Sequence, residues 1–289
     1  MATLARGPMC NPELFTHDLF SMRDLAITVA EDAGALLLDG LGRARATVET
    51  KTSPTDVVTE MDRASERLIA ERIAIARPQD GLLGEEGANT KSASGVTWIV
   101  DPLDGTVNYL YGMAPFAVSL AAEVDGEVKV GVVHDPVHGE TFSAIKGHGA
   151  WLGGQLLVIR PLSGQTGEAP RLATSLVATG FSYSLPRRNA QATAVAKLLG
   201  EVRDIRRCGA AAIDLCWVAA GRVDAYYESG IQKWDVAGGG LVASEAGGSV
   251  FELPGRDGCL PVVVAARPGL EAELRELLIR SGADAIPAG

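Results

Sequence analysis

Cysteine and histidine, the residues on which zinc and redox sites are built, are scarce in this chain. Its cysteines are Cys10, Cys208, Cys216 and Cys259, and no two form a C-x-x-C pair, which argues against the usual zinc and dithiol motifs. The histidines, His17, His134, His138 and His148, show no H-x-x-x-H spacing, so no mononuclear zinc site is expected. Cys208 and Cys216 lie in an apolar stretch and read as buried thiols. No run of 18 apolar residues occurs, and the first residues lack the apolar core of a signal peptide. The expectation is a cytoplasmic chain with no membrane span. Basic residues are also short: 26 Lys and Arg face 36 Asp and Glu, for a net charge of −10. That argues against a nucleic-acid surface as the main business of the molecule. The short clusters Arg187-Arg188 and Arg203 to Arg207 read as solvated surface.

Acid and glycine are what the chain has instead. Its 289 residues suffice for a large core, and 34 glycines point to many tight turns. The most informative segment is Asp101-Pro102-Leu103-Asp104-Gly105-Thr106. It follows Val96 to Val100, an apolar run that reads as a buried strand. Pro102 has no N–H to give a ladder, so the chain is expected to turn there. Two carboxylates at a strand end offer hard oxygen ligands for Mg²⁺. The glycine and threonine that follow offer backbone N–H groups to a phosphate. Metal and phosphate together point to metal-assisted phosphoryl chemistry. Asp-Pro and Asp-Gly pairs are also plain turn formers, so the company this segment keeps decides its meaning.

Periodicity predicts helices over Met22–Leu41, Thr59–Ile75, Asn189–Leu199, Gly209–Ala220, Val236–Ala246 and Gly269–Ser281. Thr47–Val58 reads as a strand pair or a strand and loop, and Gly81–Gly87 as a short strand entering an acidic loop. Phe116–Val124, Val128–His134 and Thr141–Ile145 predict an antiparallel meander, with Asp125-Gly126 as a hairpin turn. Leu172–Thr179, Val223–Glu228 and Val262–Ala266 are further strands. Residues 163–170 are the most linker-like stretch. Other acids stand beside glycine, threonine or tryptophan: Glu85-Glu86, Asp235 after Trp234, and Asp62 after Thr59. Divalent-metal sites for phosphate chemistry gather carboxylates from several segments around ions roughly 3.5–4 Å apart.

Four motifs, in order, now resemble one family. Lys51 to Asp62 resembles a K-x-S-P-x-D-x-V-T-x-x-D element, and Gly84-Glu85-Glu86 a G-E-E element. Asp101 to Thr106 resembles D-P-[IL]-D-G-T, and Trp234-Asp235-Val236-Ala237-Gly238 resembles W-D-x-A-[AG]. The chain is thereby identified as similar to the inositol monophosphatase family of lithium-sensitive, Mg²⁺-dependent sugar phosphatases, over about residues 22 to 280. The resemblance implies that Glu85, Asp101 and the carbonyl of Leu103 hold a first Mg²⁺. Asp101, Asp104 and Asp235 hold a second, and Glu85 faces a third, weaker one. It also implies that Thr106 bonds the attacking water with help from Asp62. Gly105 and Thr106 meet the phosphate, and Glu86 supports the ligands from behind. The chemistry expected is in-line attack by a metal-activated water, with no covalent enzyme intermediate. Plainer roles stand beside these: Asp62 also fits a first-turn charge, Asp235 an N-cap, and Glu86 and Lys51 solvated surface.

For the substrate, the resemblance makes Glu228 the carboxylate that reads inositol hydroxyls. Gly209, Ala210 and Ala211 stand for a G-[ST]-A element lining the sugar pocket, with Ala210 replacing its hydroxyl residue. Tyr226 and Tyr227 also fit as core aromatics. The fold implied is the layered αβαβα sandwich (α+β / α/β) of the sugar phosphatases. Residues 1–21 are expected as a loose extension, 22–160 as an N-terminal lobe with the metal motifs, and 161–289 as a C-terminal lobe with the substrate contacts. A small phosphorylated polyol as substrate, two to three Mg²⁺ ions and a homodimer complete the expectation. Its rivals are a broader phosphatase (for fructose 1,6-bisphosphate, histidinol phosphate or 3′-phosphoadenosine phosphates) and a regulatory protein with transcription or RNA-processing partners.

Overall fold

The computed structural model describes residues 12–41, 48–50, 57–159 and 172–288. The expected hairpin before the second helix is present, with β1 (Val48–Thr50) antiparallel to β2 (Val57–Thr59). The largest sheet has eight strands. They are β3 (Gly81–Gly84), β4 (Asn89–Thr90), β5 (Val96–Asp104), β6 (Ala117–Val124), β7 (Glu127–Asp135), β8 (Glu140–Ile145), β9 (Gly149–Leu152) and β10 (Gln155–Leu157). Their order is β10-β9-β8-β7-β6-β5-β3-β4. Every pair is antiparallel except β3 with β5. A second sheet has the order β12-β11-β13-β15-β14, from β11 (Leu176–Thr179), β12 (Asp204–Arg206), β13 (Ala225–Ser229), β14 (Ser249–Leu253) and β15 (Val262–Ala266).

Strand alternation sorts the core into layers. On β6, Val118, Leu120 and Ala122 face α1 (Pro12–Gly40) and α2 (Glu60–Ala76), with Trp98 and Val132 beside them. On the other face, Ala117, Val133 and Phe142 pack against α5 (Ala211–Ala219) and α6 (Lys233–Glu245). Tyr226 and Ala265 of the second sheet close that layer from below. The far face of the second sheet, with Ala225, Tyr227 and Val264, is covered by α4 (Leu185–Leu198) and α7 (Glu271–Ser281). The αβαβα sandwich is therefore realised as helix pair, sheet, helix pair, sheet, helix pair. A short α3 (Thr106–Tyr111) follows β5.

Several expectations shift. Helix α1 begins at Pro12, so part of the stretch read as a loose extension is helical; proline at a first helical position has no N–H to leave unsatisfied. The expected strand over 172–179 is a 3₁₀ turn at Leu172–Thr174 followed by β11. Helix α4 starts at Leu185 rather than Asn189, with proline in its first turn. The strand before the acidic motif does not stop at Pro102. It pairs Asp101 with Ser119 and Asp104 with Ala117, and an irregularity between them carries the chain past the residue that cannot donate. The linker-like stretch 163–170 lies outside the described residues.

Candidate active site

Parallel pairing of β3 and β5 brings the first acids together. Gly84 is in register with Val100, so Glu85, just past the end of β3, lies beside Asp101 within β5. The Glu85 N–H donates to the Val100 carbonyl (3.1 Å). Asp101, fully buried, accepts from the Leu103 N–H (3.0 Å). Asp104 reaches across to the first turn of α5, where the N–H groups of Ala211 (3.2 Å) and Ala212 (2.7 Å) donate to its two oxygens. Gly105 turns the chain with φ 89°, where an L side chain is strained, and a Cβ there would crowd the Pro115 carbonyl at 3.2 Å.

Two helices present an acid at their third position. Thr59 caps α2: its N–H (2.8 Å) and hydroxyl (2.6 Å) both donate to Asp62 Oδ2, a capping box. The other oxygen, Oδ1, accepts from the Thr106 hydroxyl (3.0 Å), which also lies 3.1 Å from the Leu103 carbonyl. Asp62 is thus more than a first-turn charge. Asp235 is not the N-cap of α6. That place belongs to Gln232, whose N–H donates to Asp235 Oδ2 (2.6 Å) from the third-residue position of a second capping box. The expected helix start at Val236 was late because the cap lies before Trp234.

Glu85, Asp101, Asp104, Thr106 and Asp235 open on one cleft of about 470 Å³, a size suited to a small metabolite. They line it together with Gly209, Ala211, Asp214 and Glu228. Burial pushes the Asp101 carboxyl well above the usual range, and the charges of Glu85, Asp104 and Asp235 push it further. Asp104 rises to about 8, burial leading, with the Ala212 N–H opposing. Asp235 rises for the same first reason, with Asp104 next. Such a set of hard oxygen donors, raised first by burial and further by one another's charge, fits divalent cations, whose positive charge favours the ionised carboxylates. Among the described residues, no three His, Cys, Asp or Glu side chains are gathered closely enough to hold a metal ion as they stand.

The Tyr226 hydroxyl donates to Glu228 Oε2 (2.9 Å). Tyr226 is therefore a core aromatic with its polar tip on a site residue. Burial moves Glu228 up to about 7, against the opposing Tyr226 bond and Arg207 charge. Glu86 is half-buried, and its N–H donates to Glu66. Lys51 lies outside the described residues. Cys216 is buried as expected, whereas Cys208 is only half-buried.

The sequence model of the inositol monophosphatase family matches residues 18–285. The chain belongs to the inositol monophosphatase family. Among its relatives, the inositol-1-monophosphatase of Mycobacterium leprae is 46% identical over 81% of each chain. The Nus factor SuhB of Pasteurella multocida is 38% identical over 88% of this chain and 94% of its own. The crystal structure of the extragenic suppressor protein suhB from Bartonella henselae superposes with a TM-score of 0.80 at 33% identity, covering 89% of this chain and 98% of that one.

Within this family member, sequence reasoning missed three supports of the cleft. Glu66 underlies the Glu85-Glu86 loop. Asn108 ties two of the cleft's walls by donating to the carbonyls of Pro115 (2.7 Å) and Cys208 (2.8 Å). Asp214 is buried at the cleft, its carboxyl raised to about 8 chiefly by burial, and its Oδ1 has no hydrogen-bond partner. It is the lone charge in the apolar stretch 209–220, a signal that was readable. Glu66 also left one, four residues beyond Asp62 on the same helix face.

Proposed function

We propose that this chain hydrolyses myo-inositol monophosphate to inositol and phosphate with the aid of Mg²⁺. The observation that carries the reading is the arrangement of Glu85, Asp101, Asp104 and Asp235, from separate segments, around one cleft that Thr106 also lines, with Asp62 hydrogen-bonded behind it. Glu85, Asp101, Asp104, Asp235 and the Leu103 carbonyl are the groups that would hold two to three Mg²⁺ ions, with Asp101 shared. When bound, the metal supplies Lewis acidity, which acidifies a water and stabilises charge on the leaving oxygen.

The protein's own groups orient the reaction. Thr106, donating to Asp62 Oδ1, keeps its lone pairs free to accept from the attacking water. That hydrogen bond aims the water in line with phosphorus, and Asp62 is the acceptor toward which its proton moves through the Thr106 hydroxyl. Water oxygen bonds to phosphorus, the ester P–O bond breaks, and the inositol oxygen leaves and takes a proton from solvent water. Gly105 and Thr106 supply backbone N–H groups to the phosphate. Glu228, braced by Tyr226, accepts from inositol hydroxyls, with Gly209 and Ala211 shaping the wall beside it. Glu86 supports these groups. A homodimer, lithium sensitivity and a cytoplasmic setting belong to the same proposal.

A panel of kcat/KM values decides the substrate. Inositol 1-phosphate is expected to lead; a preference of about tenfold or more for fructose 1,6-bisphosphate, histidinol phosphate or a 3′-phosphoadenosine phosphate would defeat the inositol assignment. A relative carrying the name Nus factor favours a second reading, a regulatory role with transcription or RNA-processing partners. Capture of such a partner by the Asp101→Asn variant, undiminished, would support that role beside hydrolysis.

A further inference from the structure

One face of α2 grips three segments that carry cleft-lining residues. Asp62 holds Thr106 (3.0 Å), Ser65 donates to the Pro102 carbonyl (2.8 Å), and Glu66 accepts from the N–H groups of Glu86 (2.9 Å) and Ala88 (3.0 Å). Positions 62, 65 and 66 follow the i, i+3, i+4 spacing of a helix face, and all three are buried. Asp62 has its place in the reaction, and Ser65 anchors the acidic strand end from behind. Glu66 has no assigned part.

Its surroundings single it out. Each oxygen of the Glu66 carboxylate takes one backbone N–H of the loop that follows β3. That loop begins at Gly84, where a Cβ would overlap the Glu66 carboxylate, so glycine lets the acid come this close. Glu85 sits between the two restraints. Its own N–H is fixed on the Val100 carbonyl, and the next N–H along the chain is fixed on Glu66 Oε2. The peptide planes on both sides of Glu85 are thereby set, and with them the direction in which its side chain leaves the backbone. Bonds from N–H to a carboxylate are roughly twice as strong as neutral ones, and two on one acid hold the loop at two points.

We infer that Glu66 is a positioning residue for the divalent-metal site, fixing the Glu85 carboxylate through the backbone it grips. This rests on the proposed reading of Glu85 as a metal ligand. Groups that orient a metal ligand from behind change affinity by about ten- to a hundred-fold when altered. Glutamine in place of Glu66 keeps one carbonyl oxygen and sets an NH₂ against the other amide, donor against donor. Gly84→Ala displaces the same carboxylate without removing it.

The test uses the full chain. Tb³⁺ affinity is read by luminescence, with Trp234 at the cleft as sensitiser. Mg²⁺ is then titrated as competitor, and circular dichroism confirms folding at the assay temperature. Glu66→Gln and Gly84→Ala are each expected to weaken metal binding by about tenfold or more, and Glu66→Gln to raise the Mg²⁺ concentration for half-maximal activity by more than it lowers kcat. A carboxylate that served stability alone would lower the melting midpoint and leave the affinity of the folded protein unchanged. Affinity within about threefold of the unaltered protein in a folded variant overturns the inference. So does unfolding of both variants, which would make Glu66 structural, and so does absence of Tb³⁺ and Mg²⁺ binding by the unaltered chain. Loss of affinity in the variants of a chain that releases no phosphate would instead defeat the proposed reaction and leave Glu66 as the positioning residue.

Discussion

At the scale of single residues, one carboxylate oxygen decides how much of the site is preorganised. Asp62 uses Oδ2 to close its own helix cap and Oδ1 to hold the Thr106 hydroxyl. Burial raises its carboxyl, while the bonds from Thr59 and Thr106 pull it back. Thr106→Val removes the hydroxyl and keeps the shape. It is expected to lower kcat by roughly a hundred- to ten-thousand-fold, with Tb³⁺ affinity nearly unchanged; a parallel loss of metal affinity in the same titration would remove Thr106 from the water's side of the site. The sequence spelled out these residues because aspartate, glycine and threonine serve both turn and chemistry at that spacing. Glu66 and Asp214 each left a signal, an i+4 spacing from Asp62 and a lone charge in an apolar stretch, but neither belongs to a motif, and packing is what shows which backbone or cleft each acid meets.

At the scale of elements, the two capping boxes show how local and functional demands coincide. Thr59 with Asp62 and Gln232 with Asp235 place an acid at the third helical position, where it satisfies an N–H at the helix start and still faces the cleft. Reading Asp235 as the cap itself missed this, since glutamine before lysine and tryptophan gives a weak start signal. The short strands β9, β10 and β12 were likewise illegible, having too few residues to show alternation, whereas β6 and β7 announced themselves. Helix α6 needs its glycines for a different reason. A Cβ on Gly239 would lie 2.7 Å from the Ala212 carbonyl and 2.9 Å from Leu215 Cβ. Gly239→Ala is therefore expected to destabilise the fold by about 1–3 kcal/mol through overpacking, as measured by urea denaturation. Because α5 gives Asp104 its N–H partners and α6 carries Asp235, activity should fall with it; an unchanged denaturation midpoint would show that the helices part freely.

At the scale of the whole molecule, the layered sandwich brings Glu85, Asp101 and Asp104 of one sheet to the same cleft as Glu228 of the other. The central helix pair joins them. The motif order in the sequence announced this architecture, but not that buried acids would repel one another within it. Glu228 rises from 4.5 to about 7 and Asp214 from 3.8 to about 8, chiefly by burial. Both acids bind protons more tightly folded than unfolded, so their contribution to stability is full below pH about 4 and is lost as pH rises toward 8. The melting midpoint of the metal-free protein should carry that decline, and Asp214→Asn with Glu228→Gln should flatten it. Protons also compete for Asp101, Asp104 and Asp235, all raised. Added Mg²⁺ should accordingly raise the midpoint more at pH 8 than at pH 5; an increment independent of pH would contradict the assignment of these acids as ligands.

The most direct measurement is phosphate release from inositol 1-phosphate by the intact chain, with and without Mg²⁺, beside the Asp101→Asn variant. The account predicts turnover that requires Mg²⁺ and falls by about a hundredfold or more when the shared carboxylate becomes an amide. Equal release without the metal, or an Asp101→Asn variant as active as the unaltered protein, would contradict it.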